Sequence, residues 1–163
     1  MDLDRILGTL NRHRVDYLLI GGMDFLLRHQ PVITLDVDLW LDDTPDNRGR
    51  GEAALTELGA EWGPAAADWG PVARRAAGWL GAQPLFCLTT AAGPLDVFRA
   101  VPGLAVWGEA AARAVAVRTA AGTGCRGLSD ADLLACQYAL PEGERKLDRI
   151  RYLEQVLAKQ GKA

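Results

Sequence analysis

Long apolar runs, basic charge and paired cysteines are all scarce in this sequence. No stretch approaches the roughly 20 apolar residues that cross a bilayer, so no membrane span is expected. The N-terminal Met1-Asp2-Leu3-Asp4-Arg5 is acidic and amphipathic. It has neither the basic start nor the long apolar stretch of a signal peptide, which points to the cytoplasm. The three cysteines, Cys87, Cys125 and Cys136, include no CxxC pair. An odd, scattered set argues for reduced thiols and against a disulfide framework or a zinc knuckle. Two histidines, His13 and His29, are too few for a His-rich metal cage. Eighteen Lys and Arg against 21 Asp and Glu give a formal net charge of -3. Proteins that grip long duplex DNA are usually basic. The balance therefore favours a small substrate, or a modest footprint on a larger one.

What is present is an ordinary globular mixture, 49% hydrophobic and 24% charged over 163 residues. That length suits one domain with a real core. Leu3, Ile6, Leu7 and Leu10 repeat at helical spacing over residues 2–13. Residues 16–20 read as a short buried strand ended by Gly21-Gly22, and Met23 to Arg28 as a helix broken by Pro31. Residues 34–41 alternate with period two. Leu35, Val37, Leu39 and Leu41 share one face, and Thr34, Asp36, Asp38 and Trp40 the other. Thr44-Pro45-Asp46 has the form of an N-cap with proline at the first helical position, for a helix to about Leu58. Residues 59–82 are rich in Ala, Gly, Pro and Trp, with a helix expected around Val72 to Leu80.

Leu85 to Thr89 and Leu95 to Arg99 form a hairpin around Ala91-Ala92-Gly93-Pro94. A short helix over Glu109 to Arg113 and a strand over Ala114 to Thr119 follow. Ser129-Asp130-Ala131-Asp132 has the spacing of a helix start, and Pro141-Glu142 opens a last helix with Ile150, Leu153 and Leu157 on one face. The expected fold is a single α/β (α+β) domain over 1–163, a small mixed β-sheet flanked by helices, with C-terminal helices at about 129–158.

The chemistry suggested by the residues is nucleotidyl transfer. That reaction needs a cradle for a triphosphate and fixed divalent cations. Glycines at a helix N-terminus let phosphate oxygens approach backbone amides. Carboxylates supply the hard oxygen ligands that magnesium prefers. Here a strand runs into Gly21-Gly22 and a helix, and the next strand carries Asp36 and Asp38 two residues apart on one face. Two such carboxylates repel unless a cation lies between them. Asp96 is isolated among Leu95, Val97 and Phe98, where a lone carboxylate needs a partner. Trp40, beside the aspartates, is a candidate for stacking on a base, although packing is its default role. The basic run Arg145 to Arg151, interleaved with Asp148, reads as a solvated helix face.

Leu19-Ile20-Gly21-Gly22 through Thr34-Leu35-Asp36-Val37-Asp38-Leu39-Trp40 resembles the signature of the DNA-polymerase-β nucleotidyltransferase superfamily. That signature is a double glycine, a spacer and Asp-x-Asp between apolar residues. Arg28, Thr34 and Leu128-Ser129-Asp130-Ala131-Asp132-Leu133 extend the resemblance to minimal bacterial nucleotidyltransferase-like proteins related to the AbiEii toxins of toxin–antitoxin systems. The resemblance implies a nucleotidyltransferase-like fold with two Mg²⁺ or Mn²⁺ ions on Asp36, Asp38 and Asp96. It also implies an NTP, ATP among the candidates, held at Gly21, Gly22, Arg28 and Thr34. The acceptor hydroxyl would belong to RNA, protein or a small molecule such as an aminoglycoside, and a cognate toxin or antitoxin partner is implied. The C-terminal part departs from the group's pattern. Gln137 stands where a lysine is usual, and Arg145-Lys146-Leu147-Asp148-Arg149 where Lys-Asp-x-x-Asp is usual, with Lys146 or Arg149 available for phosphate. The alternative expectation is a catalytically impaired nucleotide-binding or toxin–antitoxin partner protein of the same fold.

Overall fold

The structure, a computed structural model, describes residues 1–161. It is a mixed α/β fold, with six α-helices and one eight-stranded mixed sheet among the described residues. The strands are β1 (Tyr17–Ile20), β2 (Val37–Leu41), β3 (Glu61–Trp62), β4 (Gly70–Pro71), β5 (Leu85–Thr90), β6 (Gly93–Phe98), β7 (Val115–Arg118) and β8 (Gly124–Gly127), in the order β4-β3-β5-β6-β2-β1-β8-β7. The helices are α1 (Leu3–Arg12), α2 (Gly21–Arg28), α3 (Pro45–Glu57), α4 (Trp107–Arg113), α5 (Asp130–Ala139) and α6 (Leu147–Gln160). No helix among the described residues is long and apolar enough to cross a membrane.

Alternation along the strands sorts residues onto two faces. Leu19, Val37, Leu39, Leu95, Val97 and Phe86 pack on one side in a single apolar cluster with Ile6, Leu7 and Leu10 of α1 and Ala54 and Leu55 of α3. Leu18, Ile20 and Trp40 turn the other way, towards Phe25 of α2, Leu133 of α5 and Leu153 of α6. This second cover is partial. Where it stops, the same face carries Asp38 and Asp96.

Local signals account for the helix ends. Asp2 accepts from the Arg5 amide, Thr44 from Asn47 with Pro45 opening α3, and Ser129 from Asp132. Several expectations need correction. β2 starts at Val37, not Thr34, and Leu35 is 77% exposed instead of sharing the buried face. The pairing explains it: β1 ends at Ile20 opposite Asp38, because the chain turns into α2 at Gly21, so residues 34–36 meet no β1 partner. The helix expected over Val72 to Leu80 is two separate 3₁₀ turns, Val72–Arg74 and Trp79–Gly81, interrupted by Gly78 at φ +89°. α6 begins at Leu147, preceded by a 3₁₀ turn at Glu142–Glu144. The Gln137 side chain takes the Lys146 amide, and Arg145 donates to the carbonyls of Leu140 and Tyr138, which pins the connection outside the helix. Trp40 is 2% exposed. Its Nε1–H donates to the Arg99 carbonyl and its own carbonyl accepts from Trp107, so it packs between elements and does not stack on a base.

Candidate metal centre

The parallel register of β2 and β6 sets Asp38 directly opposite Asp96. Asp36, two residues before Asp38, joins them from the segment that leads into β2. One carboxylate oxygen from each of Asp36, Asp38 and Asp96 lies within 4.8 Å of the others, and all three residues are half-buried. On the far side of β6, Cys87 of β5 faces Asp96 across the antiparallel pair.

The glycine turn lies against this cluster for a topological reason. Ile20 is the partner of Asp38, so the next residue, Gly21, necessarily meets the Asp38 side chain. Gly21 has φ +68°, and a Cβ there would overlap Asp38 Oδ2. A Cβ on Gly22 would lie 2.7 Å from Thr34 Oγ1. Both glycines are therefore sites of close approach, one under the carboxylate and one under the threonine. The Thr34 hydroxyl donates to the Asp36 carbonyl at 3.3 Å, which braces the segment carrying Asp36.

The electrostatics follow from this crowding. Burial, then the charges of Asp36 and Asp96, push Asp38 up to about 7, against the opposing pull of the Gly22 amide and Arg149. Asp96 is also raised, first by burial and also by Asp36, with Cys87 working in the other direction. Burial and the neighbouring carboxylates lift the Cys87 thiol to about 11, so it carries no thiolate at neutral pH. Three hard oxygen donors gathered at this cost form a set suited to Mg²⁺ or Mn²⁺.

The structure brings together Gly21, Gly22, Thr34, Asp36, Asp38 and Asp96 and leaves Arg28 outside the group. Arg28 donates to Asp24 at 2.8 Å, to Asp130 at 2.8 Å and to the Leu128 carbonyl at 2.7 Å, tying α2 to the start of α5. His29 sits at the end of α2, 2.8 Å from Asp130. Asp24 is fully buried, and burial raises it to about 6 despite Arg28. Arg28→Ala is expected to lower stability by about 2 kcal/mol at pH 8. The deficit shrinks as pH falls from 8 towards 6, because Asp24 without the cation titrates above its wild-type value of about 6 and the variant takes up that proton first. Urea unfolding across that range measures both features.

Gln137 and Arg149 line a cavity of about 270 Å³ together with Gly21, Gly22, Asp38 and Lys146. The Arg149 guanidinium lies over the Phe25 ring at 5.8 Å and makes no hydrogen bond to the described residues. Burial lowers its pKa, while Asp38 opposes that shift. Reading the run Arg145 to Arg151 as a solvated face missed this inward turn. The signal was present: Arg149 precedes buried Leu153 by four residues, one helical turn, and so flanks the packed face. Gln137 accepts the Lys146 amide at 2.9 Å, which leaves its NH₂ group as the end not engaged by that bond.

Compared with known proteins, the chain matches no family model and no curated protein.

Proposed function

We propose that this chain is a metal-dependent nucleotidyltransferase that moves a nucleoside monophosphate from an NTP to a hydroxyl. The observation that carries the reading is the convergence of Asp36, Asp38 and Asp96 beside the Gly21-Gly22 turn. The resemblance to the polymerase-β superfamily and its AbiEii-related members supports the same choice. Asp36, Asp38 and Asp96 would hold two Mg²⁺ or Mn²⁺ ions. Bound cations would neutralise the triphosphate and favour ionisation of the attacking hydroxyl.

The chain's own groups supply the rest. The amides of the first turn of α2 other than that of Gly22, which turns to Asp38, would face the phosphates, helped by the helix dipole. Arg149, with no carboxylate within ion-pair distance among the described residues, offers a planar guanidinium to the same anion. The hydroxyl oxygen bonds to the α-phosphorus, the α–β bridging P–O bond breaks, and pyrophosphate leaves. Asp96, the carboxylate placed nearest the attacking hydroxyl on this reading, takes its proton. A cytoplasmic location and a cognate toxin or antitoxin partner belong to the same proposal.

The test is transfer of labelled nucleotide across a panel of NTPs and acceptors. Wild type is expected to transfer label, and Asp36→Ala/Asp38→Ala is expected to abolish it. Label that persists in the double variant rejects this site.

A second reading is favoured by the altered C-terminal part, Gln137 where the resembling proteins carry lysine and Arg145 to Arg149 where they carry Lys-Asp-x-x-Asp. On that reading the chain binds nucleotide without turning it over. Calorimetry with Mg²⁺ and each NTP separates the two. Binding with turnover supports the enzyme, binding alone supports the second reading, and absence of binding rejects both.

A further inference from the structure

The nucleotide side of the site accounts for only part of the concavity that reaches the acidic cluster. A second hollow, of about 440 Å³, is lined by Pro84, Leu85, Phe98, Ala100, Val101 and Pro102. It shares Phe98, Val101 and Pro102 with the cavity that holds Gly21, Gly22 and Arg149, so the two adjoin along those residues. Phe98 follows Asp96 by two residues on β6, and therefore stands on the same face one step beyond it. The second hollow thus begins two residues along β6 from the carboxylate assigned to the attacking hydroxyl, and Asp96 itself lines neither cavity.

Its chemistry differs sharply from that of the first. Every lining residue is apolar and none is charged. The cations Lys146 and Arg149 line the first cavity, not this one. Arg99, adjacent in sequence, is turned away: it grips both oxygens of Asp43 at 2.8 Å and donates to the carbonyls of Gly81 and Gln83. A polynucleotide acceptor needs cations along its phosphates. A polycationic aminoglycoside needs carboxylates along its amines. The hollow offers neither, and any charged group drawn into it would lose hydration without compensation.

Resting on the transferase reading, we infer that the acceptor is an uncharged hydroxyl on an apolar ring, such as a phenol. Its body lies in the hollow between Leu85, Phe98 and Pro102, and its oxygen points towards Asp96.

Proton relaxation by Mn²⁺ tests this without requiring turnover. The probes are 2-naphthol, an octauridylate and kanamycin, each with the full chain and Mn²⁺. 2-Naphthol protons are expected to relax faster in the presence of the protein, and the other two probes are not. Ala100→Glu, an exposed position whose change adds a charge to the hollow, is expected to weaken naphthol binding roughly tenfold. Calorimetric binding of Mn²⁺ and NTP to that variant stays as in wild type. Enhanced relaxation of octauridylate or kanamycin in place of naphthol overturns the assignment. So does silence from all three probes while Mn²⁺-NTP binds normally. Weaker NTP binding in Ala100→Glu also overturns it, by giving the hollow to the nucleobase. If wild type binds neither Mn²⁺ nor NTP, the transferase reading falls and takes this one with it.

Discussion

Asp38→Asn is expected to cut nucleotide transfer on the order of 10³-fold or more, about 4 kcal/mol of transition-state stabilisation, while making the metal-free protein more stable. The two effects share a cause. Asp38 is the middle carboxylate, opposite Asp96 in the ladder and two residues from Asp36. It is held beside both charges and partly removed from water, which lifts its pKa from 3.8 to about 7. A carboxylate whose folded pKa is raised binds its proton more tightly in the folded state. Stability is therefore lost as pH climbs from about 4 through 7, and the loss is complete above 7. Asparagine keeps the shape and removes the charge, so the variant is expected to gain about 1–2 kcal/mol at pH 8 and almost nothing at pH 4. Added Mn²⁺ should raise the melting temperature of wild type and leave that of Asp38→Asn unchanged. A variant no more stable than wild type at pH 8 would show that the carboxylates do not crowd one another.

The second large effect belongs to Gly21→Ala. At φ +68° an L side chain is strained by about 1–2 kcal/mol. The new Cβ would also overlap Asp38 Oδ2, so the carboxylate must leave its position or the turn must open. We expect a stability loss of about 2 kcal/mol and Mn²⁺ binding at least roughly tenfold weaker. Gly22→Ala meets only the movable Thr34 side chain and the end of Arg149, so it should lose less. Gly49→Ala is the control: it lies within α3 with nothing within 4 Å of its Cβ. It should raise stability by about 0.5–1 kcal/mol, as alanine does inside a helix. Thermal melts and Mn²⁺ titration of the three variants give the ranking. Equal losses at 21 and 22 would deny Gly21 its special contact with Asp38.

The sequence made much of this site legible because its geometry is local. Alternation along β2 puts Asp38 on the face away from the main core, Asp36 lies two residues before it in the lead-in, and an aspartate among Leu95, Val97 and Phe98 announces a carboxylate with a task. What alternation could not supply was the neighbour across the sheet. Leu35 looked buried because the pattern continued. Its burial required a β1 partner, and β1 had already ended at Ile20. Trp40 looked wet because it shares a face with the aspartates. That face is covered at Trp40 by elements more than 60 residues away in sequence, among them Trp107. Arg149 was hidden for the same reason: a cation on a helix looks solvated until another helix and a strand edge close over it. The resemblance drew Arg28 into the nucleotide site, whereas the buried Asp24 and the half-buried Asp130 claim it.

Asp38 and Asp96 are bolted into facing positions on adjacent strands of the sheet, but Asp36 is not. It rides on residues 30–36, which lack ladder partners and expose Ile33 and Leu35 to solvent. Cation capture therefore joins two fixed jaws to one free arm, and part of the binding energy must go into quieting that arm. Selectivity between ions becomes a question of how tightly a short tether can be drawn in. A small ion that demands close octahedral contacts tightens it more than a large, tolerant one. Amide hydrogen exchange over 30–36 should slow on adding Mg²⁺, slow less with Ca²⁺, and remain unchanged across β2 and β6.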